Sequence, residues 1–179
     1  AFPLVMNEKD PKAFIETVAR LSPSFGAIHL EDIRVPDCFE IEDALVERLA
    51  KPVMHDDQHG TATAALGALI SAARLAKIDL KSARVGQIGL GAAGSAIARL
   101  ALAYGVEDVM VHDVNEASVK RMERFGARPA TLLELLRDAD IIVAATGRPG
   151  LIDPRMLRGD QVVFALSNPE PEIDPRVAV

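Results

Sequence analysis

Short apolar runs alternate with stretches of helical period along the whole chain. Pro3 to Met6 reads as a buried strand. Asp10-Pro11 opens a helix, with a capping acid and Pro at the first helical position. Ala13, Phe14, Val18, Ala19 and Leu21 then recur at helical spacing, and Ser22-Pro23-Ser24 stops the helix. Phe25 to Leu30 reads as a second strand, ending on Glu31-Asp32. Val35-Pro36-Asp37 reads as a turn. Phe39 to Ala50 is a predicted helix with Ile41, Leu45 and Leu49 on one face. Pro52 to Met54 reads as a third strand. From Gly60 to Lys77 the pattern is apolar nearly all round and rich in alanine, which predicts a core helix packed on several sides.

The second half keeps a stricter rhythm. Ala83 to Ile88 is a predicted strand, followed by Gly89-Leu90-Gly91-Ala92-Ala93-Gly94 and a helix to Tyr104. Asp108 to His112 is the next strand and ends on Asp113. Asn115 to Phe125 and Thr131 to Arg137 are predicted helices, the latter with a capping box of Thr131 and Glu134. Ile141 to Ala145 and Gln161 to Leu166 are predicted strands. Strands alternating with helices imply an α/β fold with a doubly wound parallel sheet, a Rossmann-like domain. The polar break Asp79-Leu80-Lys81 places a boundary there. It gives an α/β metal- and substrate-binding portion over 1–78 and a nucleotide-binding domain over 79–179. The chain starts inside one apolar run and stops in another, Val177-Ala178-Val179, so both ends read as cut through strands.

Composition narrows the function. A chain of 179 residues can bury one substantial core or two small ones. A formal net charge of −6 argues against a nucleic-acid partner. No apolar run reaches membrane-spanning length. The single cysteine, Cys38, excludes an internal disulfide and fits a reducing, cytoplasmic setting. It has no nearby histidine to make it a nucleophile, and a small buried hydrophobe is the simpler reading.

Two groups of residues carry chemistry. The glycine loop follows a strand and opens a helix. That is the context in which the first glycine permits the turn, the second admits a pyrophosphate and the third allows helix–strand contact. Asp113, ending the next strand, is placed to accept a ribose 2′-hydroxyl and to repel a 2′-phosphate, favouring NAD over NADP. A tight strand–helix turn without ligand is the plain alternative. The second group is acidic. Glu31-Asp32 and Asp56-Asp57 both follow predicted strands, at the edge where open α/β sheets bind ligands. Three such carboxylates suit magnesium or manganese. The plain alternative makes Asp56-Asp57 a helix-capping pair and Glu31-Asp32 a solvated turn. His29, His55, His59 and His112 match no zinc spacing and read as polar neighbours of the carboxylates. Asn168, in Ser167-Asn168-Pro169, is either an ordinary turn or a contact near the nicotinamide end of a cofactor.

Taken in order, five stretches resemble the malic enzymes, especially their shorter bacterial forms. They are Phe25 to Ile33, Cys38 to Glu42, Val53-Met54-His55-Asp56-Asp57-Gln58-His59-Gly60-Thr61, the glycine loop, and Leu166 to Ile173. His29 departs from the pattern, which has Asn there. The resemblance implies Glu31, Asp32 and Asp57 as metal ligands for Mg2+ or Mn2+. Asp56 becomes a catalytic carboxylate in the acid–base network. Gly89, Gly91, Ala92, Ala93, Gly94, Asp113 and Thr146 become contacts of NAD (or NADP), and Asn168 touches substrate. The implied reaction is oxidative decarboxylation of malate to pyruvate, with hydride passing from C2 to the nicotinamide. A cation acts as Lewis acid as CO2 leaves, and C3 is then protonated. A malolactic enzyme releasing lactate, or a catalytically incomplete nucleotide-binding module, are the competing readings. A homo-oligomer acting on a small molecule is expected. The family's catalytic Tyr and Lys belong upstream of Ala1-Phe2-Pro3-Leu4. Tyr104 and the pair Lys9 and Lys12 are misplaced for those roles, so the chain reads as a fragment, inactive in isolation.

Overall fold

The computed structural model describes residues 1–177. The chain packs as two compact units, Ala1–Asp57 and Gln58–Val179. The polar stretch at Asp79 marks the exit of a long helix, while the division in packing falls at that helix's first turn.

In the first unit, α1 (Pro11–Leu21) starts where expected. The Asp10 carboxylate accepts from the N–H groups of Lys12 and Ala13, satisfying donors that have no partner inside the helix. Strands β1 (Ile28–Leu30) and β2 (Val53–His55) pair in parallel, with Leu30 opposite His55. The crossover between them is α2 (Asp37–Arg48), whose first turn carries Asp37 and Glu40, the favoured sign at that end of the helix dipole. Ile15, Val18, Leu30, Ile41 and Leu45 form the core.

Pro3 to Met6 is not a strand. Phe2, Leu4 and Val5 are exposed, and among the described residues this segment has no strand to pair with, so its apolar character cannot be used in a ladder. The strand expected from Val177 runs into residues 178 and 179, outside the described residues.

Helix α3 runs Asp56–Ala76, starting earlier than the sequence pattern suggested. The acidic pair is therefore its first turn rather than a junction before it. In the second unit α3 buries one stripe, Ala62, Ala65, Leu69 and Ala73, instead of several sides. Ala64, Ala68 and Leu75 are exposed. Alanine favours helix without needing burial, so the apolar count overstated the number of packed faces.

The second unit is a five-stranded parallel sheet. Its elements are β3 (Arg84–Ile88), α4 (Ala92–Tyr104), β4 (Asp108–His112), α5 (Glu116–Glu123), β5 (Arg128–Pro129), α6 (Leu132–Asp138), β6 (Ile141–Ala144) and β7 (Val162–Ala165). The order is β5-β4-β3-β6-β7, so the chain reverses direction across the sheet between β3 and β6. Strand alternation splits the core. Val85, Val109, Val111, Ile141 and Val143 pack with α3 and α4 residues such as Leu69 and Ile97. Ile88, Met110 and Ile142 pack with Leu135 and Leu136 of α6. The capping box holds: Thr131 accepts from the Glu134 N–H, and the Glu134 carboxylate accepts from the Thr131 N–H. Ile88, His112, Ala144 and Ala165 stand in register at one edge, and the segments following them emerge together.

Candidate dinucleotide and metal sites

The glycine loop sits at the end of β3, the central strand. Gly89 has φ +85°, a backbone region that side chains avoid, and a Cβ there would collide with the Ala145 carbonyl at the end of β6. A Cβ on Gly94 would collide with the Gly89 carbonyl and lie 2.9 Å from Gln87 Nε2. Gly91 is different: a Cβ there would meet nothing within 4 Å, so this glycine borders open space. Two glycines thus make the turn, and one leaves room beside it. The N–H groups of the first turn of α4, from Ala92, Ala93 and Gly94, carry the positive end of a 13-residue helix.

The loop is held by its own neighbours. Buried Gln87 donates from Nε2 to the carbonyls of Ile88 and Gly89, 3.1 Å each. Ser95 donates to the Leu90 carbonyl at 2.8 Å, and Arg121 donates to Ser95 Oγ at 3.0 Å. Asp113 faces the loop: its Oδ2 accepts from the Leu90 N–H at 2.6 Å and its Oδ1 from the Asn115 N–H at 2.7 Å. Asn115 in turn caps α5.

Across the switch point, Thr146 and Ser167 follow β6 and β7. Both are bonded to Glu172, a fully buried carboxylate that sequence reasoning did not single out. Burial pushes the Glu172 pKa up. Hydrogen bonds from Ser167 and Thr146 outweigh that and bring it below the ordinary glutamate value. Asn168 is exposed beside them. Glu172 sits in a proline-rich turn with no periodic signal, and its partners lie in other segments, so only the fold reveals it.

In the first unit the acidic residues gather at the ends of β1 and β2. His29 Nε2 lies 3.3 Å from a Glu31 carboxylate oxygen. These two and Asp56 each offer a ligand atom, all within 4.8 Å of one another. The converging group thus takes in Glu31 and Asp56, together with His29, and omits Asp32 and Asp57. Asp32 follows with φ 55°, a left-handed conformation. Asp57 lies 3.5 Å from Nε2 of fully buried His55. Neither His55 ring nitrogen has a hydrogen-bond partner among the described residues. The donor set of two carboxylates and an imidazole fits a divalent cation, and its oxygen donors are of the kind that magnesium and manganese take. Strand alternation was the available signal for His29, since residues 29 and 31 share a face.

The parallel sheet and its glycine loop define a Rossmann-type NAD-binding domain. Residues 48–149 match the family described as D-isomer specific 2-hydroxyacid dehydrogenase, NAD binding domain. The chain is 53% identical over 178 residues to NAD-dependent malic enzyme 1 of Bacillus subtilis, a match covering 99% of this chain and 40% of that protein. It is 40% identical over 189 residues to an NADP-dependent malic enzyme of Halomonas elongata, covering 97% of this chain and 44% of that one. The crystal structure of an NAD-dependent malic enzyme from Thermotoga maritima matches it with TM-score 0.88 at 34% identity, over 99% of this chain and 52% of that one. The chain belongs to the malic enzyme family. It spans less than half the length of these two curated relatives.

Proposed function

We propose that this chain carries the dinucleotide site and the metal-ligating residues of an enzyme that oxidatively decarboxylates malate to pyruvate and CO2. The hydride acceptor is NAD. The observation that carries the reading is a carboxylate–imidazole cluster at the ends of β1 and β2 on the same chain as a built glycine loop. The N–H groups of Ala92, Ala93 and Gly94 would donate to the pyrophosphate of the dinucleotide, with Gly91 leaving room for it. Asp113 accepts a hydrogen bond from the ribose 2′-hydroxyl and repels a 2′-phosphate, which sets NAD above NADP. Thr146 borders the nicotinamide half. Asn168 offers an amide to the substrate. Glu31 would hold the divalent cation; His29 and Asp56 converge with it, and Asp32 and Asp57, the other carboxylates at the same strand ends, would complete the ligand set as they move onto the ion. When bound, Mn2+ or Mg2+ supplies Lewis acidity to the oxygen on C2 of malate. Asp56, next to that site, is the carboxylate this chain would contribute to the acid–base network.

The reading includes a homo-oligomeric cytoplasmic enzyme. The described residues contain no helix long and apolar enough to cross a membrane. The test is malate-dependent NAD reduction by the protein that carries this chain, titrated with Mn2+. Asp57→Ala is expected to remove the Mn2+-dependent rate while leaving NAD binding within about twofold. An Asp57→Ala enzyme with the wild-type Mn2+ response would refute the assigned ligand.

A further inference from the structure

The sheet order splits the dinucleotide site. Asp113 and β4 lie on one side of β3, and β6 and β7 lie on the other. With the pyrophosphate over the glycine loop and the adenosine ribose on Asp113, the nicotinamide half extends over the segments following β6 and β7. Those segments are Thr146-Gly147-Arg148 and Ser167-Asn168.

One buried side chain ties them together. Glu172 Oε1 accepts from the Thr146 N–H at 2.7 Å, from the Thr146 hydroxyl at 2.8 Å and from the Ser167 hydroxyl. Its Oε2 accepts from the Ser167 N–H at 3.2 Å. The two hydroxyls pass the order outward. Thr146 Oγ1 accepts from the Arg148 N–H at 3.1 Å, and Ser167 Oγ accepts from the Gly147 N–H at 2.8 Å. The backbone of Glu172 is fixed as well, its carbonyl accepting from the Ile152 N–H at 2.9 Å. A carboxylate has only acceptors, and every direct partner here is a donor, so the charged form is the one this network fits.

Accordingly, we infer that Glu172 is a positioning residue for the nicotinamide half of the cofactor: it clamps the segments after β6 and β7 at the spacing that half requires. This rests on the dinucleotide reading above. Glu172 itself has no exposed surface and does not touch the ligand. Substitution by glutamine keeps the volume but turns one acceptor into a donor. Either Ser167 N–H or the Thr146–Ser167 trio then faces a second donor, and the two segments separate.

The test compares NAD with ADP-ribose, which keeps the adenosine and pyrophosphate but lacks nicotinamide. Calorimetric binding of both is measured on the full protein carrying Glu172→Gln, and on Ser167→Ala as a milder variant. The expected result for Glu172→Gln is NAD binding weakened by about tenfold or more, with ADP-ribose held within about twofold. Ser167→Ala shifts the same way by a smaller factor, and it decides the question if Glu172→Gln does not fold. Equal weakening of both ligands would mean Glu172 supports the unit as a whole and would overturn the inference. Unchanged NAD binding would overturn it too. A wild-type protein that binds neither ligand would instead remove the dinucleotide reading on which the inference stands.

Discussion

Gly91 and Gly94 lie three positions apart in one loop, yet substituting alanine at each should fail in a different way. At Gly94 the new methyl group would sit on the Gly89 carbonyl oxygen and 2.9 Å from Gln87 Nε2. Neither neighbour can give way cheaply. The first is backbone in a turn already at positive φ, and the second is a buried amide bonded to two carbonyls. Overpacking of this kind costs about 1–3 kcal/mol. Alanine in a helix regains up to about 1 kcal/mol over glycine, which offsets only part of it. A melting temperature lowered by roughly 2–8 °C follows, with weaker NAD binding because the turn itself moves. At Gly91 no atom lies within 4 Å of the added Cβ, so the unliganded fold should keep its melting temperature within about 1–2 °C. On the proposed reading, the methyl group would instead occupy the space left for the pyrophosphate beside the backbone. NAD and ADP-ribose binding should both weaken by about 10- to 100-fold, equivalent to roughly 1.4–2.8 kcal/mol. Thermal unfolding and calorimetry on the two variants separate stability from binding. If Gly91→Ala binds NAD like wild type, the ligand does not pass over that glycine. If Gly94→Ala is more stable than wild type, the loop is looser than its contacts imply.

Two further predictions concern single acids. Asp140 bonds the Arg84 side chain and backbone N–H, and Arg158 adds to it, which together hold its pKa down at about 2. A carboxyl depressed on folding contributes stability above its unfolded pKa near 3.9 and loses it as pH falls toward 2. Denaturant unfolding should show Asp140→Asn less stable by about 1–2 kcal/mol at neutral pH, discounting for the partly exposed arginines, with the gap closing between pH 4 and 2. A gap independent of pH would show that the charge is not responsible. On the proposed reading, Asp113→Ser should lower the preference for NAD over NADP in steady-state kinetics, because it removes the carboxylate assigned to hold the ribose 2′-hydroxyl and to disfavour a 2′-phosphate. A wild-type enzyme that clearly prefers NADP would contradict the role given to Asp113.

The sequence carried most of the second unit because each signal there is local. A strand, three spaced glycines and a helix follow in one short stretch, and Thr131 with Glu134 announces its own cap. The stretch around Asp56-Asp57 was equally legible as a motif. Its structural setting was misread by a few residues, because polar side chains in a first helical turn look like a junction. β5 was missed because Arg128–Pro129 is too short to show a period. The strand drawn over Pro3 to Met6 failed for the opposite reason: alternation proposes a strand, but only a partner edge makes one. Strand alternation put His29 beside Glu31, but two features needed the third dimension: the further carboxylate that His29 meets, and the burial of Glu172. His29 joins Glu31 and Asp56 because β1 and β2 end side by side. Glu172 becomes a buried acceptor because residues 146 and 167 meet it from separate strands.

The central claim is oxidative decarboxylation of malate, and the most direct measurement is the product balance. The protein carrying this chain is incubated with malate, NAD and Mn2+, and its products are followed by NMR. Equal amounts of pyruvate and NADH, growing together and stopping when the cation is chelated, are the predicted result. Lactate accumulating without net NADH, or NADH forming with oxaloacetate and no pyruvate, would contradict it.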